Sequence, residues 1–226
     1  MTSRRVFHAL DFDRTIFRTR TMEQKLIEAL AYYRPGVEKE LQKQSIEHGA
    51  RGESFFVFTY LKERLGPIDF PVFFDAFHKA VPVDDLLRPG ARERLAFAAS
   101  KPGWSGGIMT FGAYEDQQLK LKLVELDTYP HLITNTPDKG FIIGGWKQAD
   151  GTFHIPEELG AAVVDCVVLD DDKLRAFNDL PVGAYGVWLT ADPAGSMQIG
   201  DDLKGRVFVA CDLFGSIEIL RNLLNS

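Results

Sequence analysis

The chain has 226 residues, enough to bury a full core, and its 45% hydrophobic and 26% charged content is ordinary for a soluble globular protein. The net charge of −6 argues against a general nucleic-acid or polyanion binder, and no run reaches the roughly 18 apolar residues of a membrane span. The basic start, Met1 to Arg5, has no adequate apolar stretch behind it, so no signal peptide is expected. Cys166 and Cys211 each lie in or beside an apolar run and read as small buried hydrophobes, too few for a disulfide framework or a zinc site. A reducing, cytoplasmic compartment fits that usage.

Val6 to Leu10 is a short apolar run that stops at Asp11 and Asp13, with Thr15 following, and it reads as a buried strand. From about Thr21 to Leu87 the signals are helical. Met22, Leu26, Ile27 and Leu30 recur at helical spacing until Arg34-Pro35-Gly36, and Val37 to His48 is a second amphipathic stretch ending at Gly49. Ser54 reads as an N-cap for a helix from Phe55 to Leu65, closed by Gly66-Pro67, and Phe70 to Val81 is a fourth helix. The texture changes at Pro89-Gly90. A helix through Ala99, a strand from Gly107 to Phe111, a helix from Tyr114 to Leu126 and a strand from His131 to Thr134 follow. Phe141 to Ile143 and Phe153 to Ile155 flank Ala149-Asp150-Gly151 and read as a hairpin. Strands are expected at Asp165 to Leu169, Tyr185 to Thr190 and Arg206 to Ala210, with a closing helix from Leu213 to Leu224.

Strands alternating with helices imply an α/β fold, a doubly wound and mostly parallel sheet. The helical block interrupts that pattern directly after the first strand. The expected organisation is therefore a catalytic core of 1–15 and 89–226, with 16–88 as an inserted helical cap.

In an open α/β sheet, ligands sit just beyond the carboxyl ends of the strands. Asp11 and Asp13 belong there. So does Thr110, at the end of Ile108-Met109-Thr110, and so do Asp170 and Asp171, after Val167-Val168-Leu169. Lys139 lies in Pro137-Asp138-Lys139-Gly140, with Lys147 as a rival. Taken singly, these are an acidic turn, a strand-end threonine, a loop lysine and an acidic helix start. Together they offer a carboxylate nucleophile, a neighbouring acid/base, a metal site, a hydroxyl and a cation for phosphate oxygens, which is what phosphoryl transfer needs. Closely spaced carboxylates repel, and a divalent cation of the Mg²⁺ type resolves that repulsion.

This order resembles the haloacid dehalogenase superfamily. The first motif of that family, an apolar strand ending in Asp-x-Asp-x-Thr, is matched by Asp11, Asp13 and Thr15. The second is matched by Thr110, the third by Lys139, and the fourth, an apolar strand ending in paired acidic residues, by Asp170 and Asp171. The helical insertion corresponds to a type-one cap. The resemblance implies a Rossmann-like core and a Mg²⁺-dependent phosphatase acting on a small phosphorylated substrate. Asp11 would be the nucleophile and Asp13 the general acid/base. Thr110 and Lys139 would bind phosphate, Thr15 would orient Asp13, and Asp11, the Asp13 carbonyl, Asp170 and Asp171 would surround the metal. Dehalogenase members lack an acid/base at the Asp13 position, so its presence favours phosphate chemistry. A phosphomutase shares every motif, and a catalytically idle relative that binds a phosphorylated ligand or a protein is the other alternative. Two departures stand out: Arg14 where the family usually has a small residue, often glycine, and Phe111 where a polar residue is usual. Asp172 leaves the register of the fourth motif open by one. The cap phenylalanines, in Phe55 to Phe58 and Phe70 to Phe77, are expected to form mostly its own core.

Overall fold

A computed structural model describes residues 4–51, 55–192 and 198–225. The chain divides into two compact units. One comprises Met1–Phe17, Arg88–Thr110 and Tyr129–Ser226, and the other Arg18–Leu87 and Phe111–Thr128. Residues 111–128, which the sequence groups with the core, thus cluster with the second unit.

The first unit is built on β1 (Val6–Leu10), a strand with every residue buried. Around it stand β2 (Trp104–Phe111), β3 (His131–Thr134), β6 (Cys166–Asp171), β7 (Ala184–Leu189) and β8 (Val207–Ala210), in the order β3-β2-β1-β6-β7-β8. The pairs β1–β2, β1–β6, β6–β7 and β7–β8 are all parallel. Burial on both sides explains why β1 and β6 read as continuous apolar runs rather than alternating ones. On one face Phe7, Ala9, Val167 and Leu169 pack with Ile143 and Trp146 of α7 (Lys139–Trp146) and with Phe177. On the other, His8 stacks edge-on against Phe97 of α5 (Ala91–Ala98), and α8 (Leu213–Asn225) closes beside it. Helices on both faces of a parallel sheet make it doubly wound, as expected.

Counted along the chain, the six sheet strands lie in the order 3-2-1-4-5-6. The order reverses between β1 and β6, and a crevice at the carboxyl ends of those two strands is where such sheets take ligands. The register sets Leu10 beside Ile108 on one side and Asp170 on the other. The carboxylates that follow Leu10 and Leu169 are therefore brought level.

Two expectations fail here. Phe141 to Ile143 is helical, not the first arm of a hairpin. Lys139, Gly140, Ile143 and Trp146 are the buried positions, a helical spacing, and a three-residue apolar run cannot by itself separate helix from strand. The turn at Ala149 to Gly151 exists, but its first arm is Lys147, bridged to Phe153, while β4 (Phe153–His154) pairs antiparallel with β5 (Val163–Val164). β6 also runs two residues further than expected, taking Asp170 and Asp171 into the sheet.

The second unit holds α1 (Thr19–Tyr33), α2 (Val37–Arg51), α3 (Val57–Ala80), α4 (Val83–Leu86) and α6 (Tyr114–Leu123). α1 buries Met22, Leu26 and Leu30, one residue per turn. α2 continues through Gly49 to Arg51. The two helices expected at Phe55 to Leu65 and Phe70 to Val81 form one element bent at Gly66. Its φ of 78° and ψ of 175° are glycine-permitted values, and Pro67 restarts the helix where a missing N–H costs nothing. Ser54, the expected N-cap, lies outside the described residues. Instead Asp116 of α6 accepts from the Phe58 N–H at 2.7 Å and the Thr59 N–H at 3.4 Å, capping α3 from another helix. Phe58, Phe70, Phe73, Phe74 and Phe77 are buried, so this aromatic block is mostly the unit's own core. Among the described residues, no helix is long and apolar enough to cross a membrane.

Candidate active site

β1 delivers Asp11 and β6 delivers Asp171 to the same face of the sheet, because each is an even number of residues from its strand's core-facing side chains, Phe7 and Ala9 in one, Val167 and Leu169 in the other. Both carboxylates are buried. Between them lies the ammonium of Lys139, which donates to Asp11 Oδ1 and, at 2.6 Å, to Asp171 Oδ2. Lys139 is only 3% exposed and begins α7. Burial opposes a positive charge, and the positive end of a helix dipole adds to that opposition. Asp11 and Asp171 outweigh the burial and hold the Lys139 pKa above its ordinary value. In return, burial pushes the Asp11 carboxyl up to about 6, against the pull of Lys139.

Asp172 completes the group. Asp11, Asp171 and Asp172 each offer an oxygen within 4.8 Å of the others, a spacing that could hold a metal ion. Burial and the Asp11 charge raise the Asp172 pKa, with Arg14 opposing them. The donor set is all carboxylate oxygen, which suits a hard cation such as Mg²⁺. The three clustered carboxylates repel one another, and a divalent cation among them would offset that repulsion. On donor chemistry and spacing the residues fit such an ion.

Asp170 does not join them. Alternation along β6 turns its side chain to the opposite face, where it is fully buried. There it accepts from Arg94 Nε at 2.9 Å, Arg94 Nη2 at 2.8 Å and Ser216 Oγ at 2.5 Å. This corrects the expected metal set: Asp170 leaves it and Asp172, which the sequence leaves as a register ambiguity, enters. Asp170 still serves the site through its main chain, since its carbonyl accepts the Asp11 N–H at 2.9 Å.

Thr15 is buried in the same loop, but its hydroxyl donates to Asp11 Oδ2 at 2.7 Å, so it orients Asp11 and not Asp13 as expected. Asp13 is half-buried, two residues after Asp11, with a main-chain bridge to Phe17. Thr110 is buried two residues beyond the last β1–β2 pair, and its carbonyl accepts from the Thr134 hydroxyl at 3.2 Å. Lys147 donates to the Val182 carbonyl, leaving Lys139 as the lysine at the carboxylates.

Arg14 has a φ of 66°, in the left-handed region that costs a non-glycine residue about 1–2 kcal/mol. The loop holds it there from both sides. Its N–H donates to the Phe17 carbonyl at 2.9 Å and its own carbonyl accepts from Arg88 Nη1 at 2.6 Å. Its Nε lies 3.1 Å from Asp172 Oδ2.

The placement of Lys139 depends on Gly140. A Cβ there would stand 2.0 Å from the Asn178 carbonyl oxygen and 3.0 Å from the Leu180 nitrogen, both main-chain atoms. Gly140→Ala should therefore push α7 outward and carry Lys139 off the two carboxylates. A loss of about 1–3 kcal/mol in urea unfolding is expected, the usual cost of overpacking. A variant as stable as the parent would show that α7 can shift freely.

No protein-family model matches the chain, and no curated protein matches it. Solved structures do. A protein named as a haloacid dehalogenase-like hydrolase from Burkholderia xenovorans LB400 is similar at 15% identity over 98% of this chain and 99% of that one, with a TM-score of 0.63. A magnesium-bound protein named as a HAD-hydrolase from Bacillus subtilis is 14% identical over 99% and 100%, with a TM-score of 0.55. One named as a β-phosphoglucomutase from Thermotoga maritima is 18% identical over 96% and 99%, with a TM-score of 0.52. The chain has the haloacid dehalogenase-like fold.

Proposed function

We propose that this protein is a Mg²⁺-dependent phosphatase that hydrolyses a small phosphate monoester through an aspartyl-phosphate on Asp11. The observation that carries the reading is the buried Lys139 held between Asp11 and Asp171, with Asp172 in reach, at the point where the strand order reverses. A carboxylate nucleophile, a fixed cation and an anionic cluster open to a metal form a phosphoryl-transfer set. The magnesium-bound neighbour and the one named as a phosphomutase fit the same chemistry.

In this mechanism an Asp11 carboxylate oxygen attacks phosphorus as the bond to the leaving oxygen breaks, and Asp13 gives that oxygen its proton. Asp13 then takes a proton from water, which attacks the same phosphorus, releases inorganic phosphate and restores Asp11. Thr15 fixes the Asp11 carboxylate, while Lys139 and the Thr110 hydroxyl hold the phosphate oxygens. Asp11, Asp171 and Asp172, with the Asp13 carbonyl, would hold Mg²⁺, whose charge would offset that of nucleophile and phosphate. A cytoplasmic setting, where small phosphate esters and Mg²⁺ are both available, suits this chemistry.

The test is a screen of small phosphate esters with Mg²⁺, with chelator, and with Asp13→Asn. Chelator-sensitive turnover is expected, falling by about 10²–10⁴ in Asp13→Asn, the usual worth of a general acid/base. That variant should retain much of the metal affinity, because the expected contact from Asp13 is its main chain. Mg²⁺ binding without turnover of any ester would favour an idle ligand-binding protein, and transfer to a second sugar hydroxyl a phosphomutase.

A further inference from the structure

The metal-binding reading of Asp11, Asp171 and Asp172 leaves the counter-charges unequal. Lys139 donates to two of the three, Asp11 and Asp171. The third, Asp172, is paired with Arg14 at 3.1 Å. This pairing is delivered by a strained residue. Arg14 sits at φ 66°, where glycine would be at ease, and Phe17 and Arg88 grip its main chain on either side. The guanidinium is thereby presented to Asp172, whose side chain is 17% exposed while that of Arg14 is 46% exposed. A cation that draws on Asp172 competes with the guanidinium for that carboxylate, whereas one resting on Asp11 and Asp171 does not.

We propose that Arg14 is a positioning residue that withholds Asp172 from the divalent cation, competing with it and weakening its binding. The protein then loads only at cation concentrations high enough to overcome an internal competitor. This rests on the metal-site reading, and the experiment separates the two.

Mg²⁺ and Mn²⁺ binding would be measured by titration calorimetry on the full chain for the parent, Arg14→Asn, Asp172→Asn and the double variant, with thermal melts to confirm folding. Asparagine removes the charge yet tolerates the left-handed conformation, so the loop need not change. Arg14→Asn should bind about three- to fivefold more tightly than the parent, the scale of a partly exposed ion pair. In the Asp172→Asn background the same change should alter affinity less than about twofold, because there is no carboxylate left to release. The double-mutant cycle isolates the pair from the general field of the arginine. An equal gain in both backgrounds would mean that Arg14 acts only as a nearby charge, which overturns the proposal. So would weaker binding in Arg14→Asn. If neither the parent nor Arg14→Asn binds a divalent cation, the metal-site reading itself falls.

Discussion

Asp11→Asn should abolish phosphatase turnover while leaving the protein folded. An amide is a poor nucleophile and a poorer metal ligand than a carboxylate, so both functions proposed for Asp11 are lost together. The expected fall is on the order of 10⁴ or more, the scale seen when a covalent nucleophile is removed. Single-turnover quenching of the parent should trap an aspartyl-phosphate that the variant cannot form. Stability should move differently. Burial raises the Asp11 carboxyl to about 6, so between its ordinary value and 6 the metal-free folded state binds a proton that the unfolded chain releases. The slope of unfolding free energy with pH follows the protons held unfolded minus those held folded, so this group's contribution is negative there. It stabilises the metal-free protein at low pH, and that stabilisation is lost as pH rises through 6. Asp11→Asn removes the titration and should flatten the profile over that window, as read by urea unfolding with chelator present. A variant that keeps the parent rate under conditions where the parent is active would put the nucleophile elsewhere.

The parts of this molecule that were legible in its sequence share a physical cause. An apolar run ending in carboxylates is hard to place anywhere but at a buried strand's end, so β1, β6 and the parallel sheet were readable, and Asp11, Lys139 and Asp171 could be grouped before their side chains were seen to meet. What stayed hidden depends on contacts distant in the chain. Asp170 and Asp171 are chemically identical neighbours, and only the alternation of a strand that continues past Leu169 sends one to each face. The residue that claims Asp170 is Arg94, 76 positions away on α5. Thr15 is a similar case: its spacing allows either Asp11 or Asp13 as partner, and the tight loop closed by the Asp13–Phe17 bridge decides for Asp11. The helix at Lys139 was masked because Phe141-Ile142-Ile143 has high strand propensity. The packing of Gly140 against the main chain at Asn178 and Leu180 overrides that preference.

Arg94→Ala should be the most destabilising single change in the sheet unit, costing about 3–5 kcal/mol in urea unfolding. Arg94 and Asp170 are both 0% exposed, and the guanidinium grips the carboxylate through two parallel N–H···O bonds. Arg94 Nη2 also lies 3.2 Å from His8 Nδ1. Arginine can only donate, so this ring nitrogen accepts and the imidazole is neutral, in keeping with a His8 pKa pushed well down by burial and by Arg94. Removing the guanidinium strands the Asp170 charge in an apolar layer with Ser216 as its remaining side-chain partner among the described contacts. The penalty comes from that stranded charge rather than from the net worth of the pair. Arg94→Met combined with Asp170→Val, which removes both charges and stays close to the original volume, should recover most of the stability. The candidate site would feel the difference. The Asp170 carbonyl holds the Asp11 N–H, and Asp171 is the next residue, so a displaced β6 end moves the proposed nucleophile and the proposed metal ligand together. Turnover should therefore fall further in Arg94→Ala than in the double variant. An Arg94→Ala protein within about 1 kcal/mol of the parent would mean that Asp170 finds another partner or a proton at little cost, and that the clamp beneath the site is dispensable.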